Sequence, residues 1–199
     1  RQTICSLYCD SPDDILARIS LDKPVYKEKL RLRAYGTPTD SSPVFLEIKK
    51  KYDGVVYKRR VSTDFAQAVR FLTEGIPPES GDYISRQVTA EMTHMISRDG
   101  LIPRAAVFYD RRAFHGADDP EFRLTLDGNI RYRLGDLDLR NGTDGDTISG
   151  QPFRIMEIKS ASSIPLWLAG TLSELGIRPG SFSKYGSVYK QRFQDLCTT

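Results

Sequence analysis

An α+β fold built on a mainly antiparallel, closed or nearly closed β-barrel is predicted by three features of this 199-residue chain. Seven segments alternate apolar and polar residues with the period of a strand, so each can bury one face and expose the other. Helical spacing occurs at only three or four connections, which disfavours the regular strand-helix alternation of a doubly wound sheet. On adjacent strands the polar face is almost wholly cationic. A curled sheet with that face inward forms a tunnel with a polar, cationic interior and helices packed outside.

Ile4 to Tyr8 reads as the first strand, and Asp10-Ser11-Pro12 as a turn into a short helix from Asp13 to Ile19, with Asp13 and Asp14 in its first turn. Lys29 to Arg60 then reads as three strands. Leu30, Leu32 and Ala34 share one face of the first, with Lys29, Arg31, Arg33 and Tyr35 on the other; Val44, Leu46 and Ile48 oppose Phe45, Glu47, Lys49 and Lys51 in the second. Asp53-Gly54 marks a tight hairpin, after which Lys58 and Arg60 continue the cationic face. Phe65, Ala68, Val69 and Leu72 fall at helical spacing between a cap at Thr63 or Asp64 and a stop at Gly75. A second helix is predicted from Asp82 to Arg98, its packing stripe formed by Ile84, Val88, Met92, Met95 and Ile96.

Strand character returns over Arg104 to Ala113, Glu121 to Arg133 and Pro152 to Ser160. Here Val107, Tyr109 and Arg111 alternate with Phe108 and Asp110. Phe122, Leu124 and Leu126 oppose Arg123, Thr125 and Asp127, and Met156 and Ile158 oppose Glu157 and Lys159. The polar passage from Gly135 to Gly150 lacks the spacing of a calcium loop and reads as a solvated connection. Ile164 to Leu175 is predicted to be a helix packed through Leu166, Leu168, Leu172 and Leu175, and Phe182 to Cys197 a terminal helix or extension. The whole of 1–199 is expected to form one domain.

Composition is that of a soluble chain, 39% hydrophobic and 28% charged, with a net charge of +3 and no run approaching the roughly 18 apolar residues of a membrane span. Cys5, Cys9 and Cys197 are too few for a disulfide scaffold; Cys5 and Cys9 would lie roughly 13 Å apart along a strand. A reducing compartment is expected, the cytoplasm or the cytoplasmic face of a membrane reached through other regions or subunits. With His94 and His115 the only histidines, neither a zinc site nor a Ser-His-Asp triad can be assembled, and no phosphate-binding glycine loop is present.

The inner face therefore collects Lys29, Arg31, Arg33, Glu47, Lys49, Lys58, Arg60, Arg111, Arg123, Glu157 and Lys159. So many cations cannot occupy a dry interior, because unpaired buried charge costs several kcal/mol per group. They can line a wet tunnel, where arginine forks and lysine ammonium groups grip a polyanion, with condensed phosphate the favoured ligand. Glu47 fits a salt-bridge partner as well as a functional role, whereas Glu157 is the candidate ligand for Mg²⁺ or Mn²⁺ bridging carboxylate and phosphate oxygens.

Taken together, SLYCDSPD, KLRLRAYG, FLEIKKK, YDRRAF, FRLTLDGNI, IMEIKS and FSKYGS resemble, over nearly the whole chain, the VTC domain of polyphosphate polymerases. That domain belongs to the triphosphate tunnel metalloenzyme, or CYTH, superfamily. The resemblance implies an eight-stranded antiparallel tunnel that binds ATP and passes its terminal phosphate to a polyphosphate chain with a divalent metal. It also implies phosphate contacts for Arg31, Arg33, Lys49, Lys58, Arg60, Arg111 and Arg123, and metal binding for Glu157 with Lys159 beside it. Tyr109 would contact the substrate near the tunnel wall, and Ser183 and Lys184 would match the S-K pair at the tunnel mouth. The family pattern normally opens with a further strand bearing a glutamate-lysine motif, and nothing before Ile4 supplies it. The alternatives are a tunnel triphosphatase acting on triphosphate or nucleoside triphosphate, and a non-catalytic polyphosphate-binding module. No nucleic-acid ligand is expected, because aromatic residues are not interleaved with the cations as a single-strand groove requires.

Overall fold

A computed structural model describes residues 1–22, 24–79, 81–148, 154–161 and 163–197, with the side chains of 193–197 left aside. Its eight strands are β1 (Gln2–Asp10), β2 (Tyr26–Tyr35), β3 (Pro43–Tyr52), β4 (Val55–Asp64), β5 (Ile102–His115), β6 (Arg123–Arg133), β7 (Asp146–Thr147) and β8 (Ile155–Lys159). Five helices accompany them: α1 (Ile15–Leu21), α2 (Phe65–Glu74), α3 (Tyr83–Asp99), α4 (Leu166–Glu174) and α5 (Lys184–Cys197). All strands join one antiparallel sheet in the order β4-β3-β2-β1-β5-β6-β7, with β8 also paired to β6. The α+β class is as the periodicity predicts, but the barrel is not closed. Among the described residues β4 pairs only with β3 and β8 only with β6, so each keeps a free edge.

The strand count is eight instead of seven because Asp146 and Thr147, inside the passage read as a solvated loop, pair with Tyr132 and Arg131. That passage is also anchored by a 3-10 turn at Leu139–Asn141, whose Leu139 is fully buried. Pro152 and Phe153, predicted to start the last strand, lie outside the described residues.

Alternation along the strands separates two cores. On the outer face Leu30, Leu32, Val44, Leu46 and Ile48 pack beneath Phe65, Phe71 and Leu72 of α2 and Val88, Met92 and Met95 of α3. Asp64 and Asp82 cap these helices by accepting from the N–H groups of Gln67 and Ser85, and Gly75 and Gly100 end them with positive φ. The inner face is not polar throughout. At its α5 end Ile4, Tyr8, Val107 and Tyr109 pack against Tyr185, Val188 and Tyr189, leaving the cations to the rest of the sheet.

Three predicted details change. Helix α1 starts at Ile15, and Asp13 and Asp14 are not in its first turn. Asp14 instead has φ 55°, and its carboxylate pairs with Arg104 and Arg192. Ile84 lies off the packing stripe, 62% exposed on the open side of α3. In α4 only Leu168 is buried, and Leu166 is 90% exposed, so among the described residues that side of the helix is left uncovered. None of the described helices is long and apolar enough to cross a membrane.

Asp10 ties the end of β1 to both flanking helices. Its buried carboxylate accepts from the N–H groups of Ser11, Leu16 and Ala17 and from the Tyr185 hydroxyl, at 2.8 to 2.9 Å. Replacing it leaves several buried donors without an acceptor, at ~1–3 kcal/mol each before relaxation. Asp10→Ala is therefore expected to lower unfolding free energy by about 3 kcal/mol in urea denaturation, whereas Asp13→Ala, at an exposed position, should leave it unchanged.

Candidate functional site

Inward-facing positions on six strands bring the predicted residues to one concave surface. Register sets Lys29 beside Lys49, Lys49 beside Lys58, Arg31 beside Glu47, Glu47 beside Arg60, and Arg123 beside Lys159. Together with Arg33, Arg111 and Lys184, this gives ten cations against three carboxylates, Glu47, Asp127 and Glu157. Like charges at such spacing repel unless counter-charge lies between them.

Two of the carboxylates are that counter-charge. Buried Glu47 accepts from Arg31 Nε and pairs with Lys58 Nζ, both at 2.7 Å, with Arg33 Nε at 3.5 Å. Burial pushes its pKa up, but Arg31, Arg33 and Lys58 outweigh burial and hold it below the usual carboxylate range. Asp127, equally buried, accepts both arms of the Arg111 fork at 2.7 and 2.8 Å and Lys184 Nζ at 2.7 Å. Its pKa is likewise lowered against the effect of burial, while Arg111 is raised first by its hydrogen bonds to Asp127.

Lys159 pairs with the half-exposed Glu157, and several other cations have no such partner. Among the described residues Lys49, Arg60 and Arg123 form no ion pair with a carboxylate, and the Nε of Arg33 is buried without a hydrogen bond. A cavity of about 150 Å³ lies among Arg33, Tyr35, Lys58, Arg60, Arg111, Arg123, Thr125, Glu157 and Lys159. It draws on both edge strands, β4 and β8, so the open sheet is curved enough to surround a ligand. Burial lowers the pKa of Lys49, and repulsion from Arg31 lowers it further; burial does the same to Lys29.

The inner end is finished by α5. Lys29 Nζ donates to Ser183 Oγ at 2.8 Å, and Lys184 Nζ lies 4.3 Å from the Tyr109 ring centroid. Tyr109 is buried, which pushes its phenol up to about 12. Tyr8 stacks on Tyr185 and accepts from Arg31 at 3.1 Å; burial raises its pKa, but Arg31, Lys29 and Lys184 more than offset this. Thus all thirteen predicted site residues face one region, although Arg31, Lys49, Lys29, Tyr109, Ser183 and Lys184 stand outside the lining of the cavity itself.

The VTC domain family model matches residues 1–193. The chain belongs to the VTC domain family. Its fold resembles that of a Bacillus halodurans protein described as a candidate adenylate cyclase, with a TM-score of 0.54 and 13% identity over 92% of this chain and 79% of that one. A Hippeastrum protein, a candidate adenylyl cyclase with a dominant triphosphatase activity, aligns at a TM-score of 0.45 and 18% identity, covering 92% and 80%. No curated protein sequence matches the chain.

Among the described residues a divalent metal fits this VTC domain at Glu157. Among the described residues there is no group of three or more acidic, thiol or imidazole ligands. Glu47 and Asp127 are saturated by cations, whereas Glu157 is 50% exposed beside the cavity, with Lys159 at 3.4 Å and Arg111 at 3.9 Å. Mg²⁺ and Mn²⁺ are commonly held by one carboxylate, waters and the phosphates of a substrate, and Glu157 suits that arrangement.

Sequence reasoning missed Asp127, Thr125, Tyr8 and Tyr35. The first two alternate in phase with Arg123, which placed them inward, but nothing local marked Asp127 as the partner of Arg111, 16 residues away. Tyr8 follows from the pairing of β1 with β2, which sets it beside Arg31.

Glu47 gives this VTC domain a pH-dependent stability. Its folded pKa lies below the unfolded value, so its contribution is complete above the ordinary carboxylate range and is lost as pH falls through the folded pKa. Glu47→Gln is expected to cost about 2–3 kcal/mol at pH 7, below the ~3–5 of a fully buried pair because Lys58 is 42% exposed. Denaturant titrations of both proteins should converge at acidic pH.

Proposed function

We propose that this cleft binds a nucleoside triphosphate and transfers its terminal phosphoryl group to the end of a polyphosphate chain. The observation that carries the reading is the pair of cations without a carboxylate partner among the described residues, Arg60 and Arg123, together with the Arg33 Nε that lacks a hydrogen bond, around one cavity on a concave sheet. Condensed phosphate carries charge along its length and offers oxygens to several strands at once, which suits cations spread over β2, β4, β5, β6 and β8.

Positioning and charge neutralisation account for most of the catalysis in phosphoryl transfer. In this reading Arg33, Arg60 and Arg123 hold the transferred phosphoryl oxygens, while Arg111, fixed by Asp127, presents its fork in a single orientation. Lys58, Arg31 and Glu47 keep the opposite wall rigid. An oxygen of the acceptor chain attacks the γ-phosphorus, the bond to the β–γ bridging oxygen breaks, and ADP leaves with that electron pair. The acceptor oxygen is ionised near neutral pH, so no general base is needed. A divalent cation arriving with the nucleotide would be bound by Glu157 and would supply further neutralisation of phosphate oxygens. Hydrolysis with water as acceptor is the second reading, favoured by the absence of pairing between β4 and β8 among the described residues.

Incubation with ATP and Mn²⁺ separates the two, since transfer yields phosphate chains resolvable on a gel and hydrolysis yields only orthophosphate. Chains are expected. Arg123→Ala should weaken tripolyphosphate binding roughly 10- to 100-fold, the range for a charge-assisted hydrogen bond. Glu157→Gln should retain metal-free tripolyphosphate binding and lose Mn²⁺-dependent turnover; unchanged turnover at saturating Mn²⁺ would remove Glu157 from its assigned role.

A further inference from the structure

A second cavity, of about 260 Å³, adjoins the cationic one and is lined by Arg1, Gln2, Ile4, Tyr35, Arg111, Ala113 and Arg123. The two share Tyr35, Arg111 and Arg123, so a ligand can run from one into the other. Their chemistry differs. The first is almost entirely charged, whereas the second sets the hydrocarbon of Ile4 and Ala113, the ring of Tyr35 and the amide of Gln2 beside Arg1, Arg111 and Arg123. Apolar and aromatic surface beside a few polar groups is what a small organic ligand requires, and the first cavity offers little of it.

Tyr35 is held in place for this. It ends β2 opposite Ile4, and Gly36, with φ 79°, turns the chain away while donating its N–H to the Thr3 carbonyl. Its ring meets Phe45 edge to face, with centroids 6.0 Å apart and planes at 85°. Phe45 is in turn covered by the Arg60 guanidinium, 4.8 Å from its centroid. Tyr35 itself remains 45% exposed. A ring steadied by one aromatic neighbour, partly exposed and lining the cavity is suited to stacking a planar group.

We propose that the second cavity receives the nucleobase of a nucleoside triphosphate stacked on Tyr35, with Gln2 within the lining to hydrogen-bond the base edge. Arg111 and Arg123, common to both cavities, mark where the phosphate chain begins. This rests on the phosphate reading above and adds how the site tells a nucleotide from inorganic condensed phosphate.

The test compares equilibrium binding of ATP and of inorganic tripolyphosphate, in the same Mg²⁺ buffer, to the wild-type chain and to its Tyr35→Ala and Tyr35→Trp variants. Wild type should bind ATP more tightly than tripolyphosphate. Tyr35→Ala should weaken ATP about 5- to 100-fold, the range for losing one base-aromatic stack, and weaken tripolyphosphate distinctly less, since Tyr35 also borders the cationic cavity. Tyr35→Trp should retain the preference for ATP. Equal wild-type affinities, an ATP affinity indifferent to Tyr35→Ala, or equal losses for both ligands would each overturn the nucleobase site while leaving the phosphate site standing. No tripolyphosphate binding by wild type would overturn the phosphate reading and this inference with it.

Discussion

The structure depends on holding like charges together on one curved sheet. Lys49 lies between Lys29 and Lys58 on neighbouring strands, and Arg31 and Arg33 stand beside them. Such a surface is stable because two buried carboxylates, Glu47 and Asp127, each neutralise more than one cation. They are placed on opposite sides of the cleft, one on β3 and the other on β6. The counter-charge is also incomplete, and the shortfall is concentrated where the two free strand edges approach one cavity.

This division separates what keeps the fold from what the fold can bind. Arg111 and Lys184 are fixed by Asp127, and Arg31 and Lys58 by Glu47, so their positions are set before any ligand arrives. Arg60 and Arg123 lack carboxylate partners among the described residues and gain most from an incoming anion. Preorganised charge of this kind lowers the reorganisation needed at the moment of reaction. The outer core under α2 and α3 and the aromatic inner core against α5 brace the sheet from both sides.

Much of this was legible in the sequence. Period-2 alternation in KLRLRAY, FLEIKKK and IMEIK assigns each cation to a face, and the structure puts those faces on one concave surface. The cap at Asp64 and the stop at Gly75 were also local signals, whereas Asp82, read as the first residue of α3, is its cap. What was hidden is long-range. Closure depends on how far the sheet curls, which no residue pattern states, and the sheet is open between β4 and β8. The cap of α1 comes from Asp10 through the chain's turn, not from the acids at its start. The exposure of Leu166 shows the opposite limit, since an apolar stripe predicts a covered helix but says nothing of whether a covering element is present.

The central claim is that the uncompensated cations form one site for condensed phosphate. The most direct measurement is thermal unfolding of the chain in increasing tripolyphosphate, against sulfate at matched ionic strength. A ligand that binds only the folded state raises the melting temperature with its concentration. A rise with tripolyphosphate that sulfate does not reproduce is the result expected here. Equal responses to the two anions, or none to either, would mean that the charges do not act as a single site.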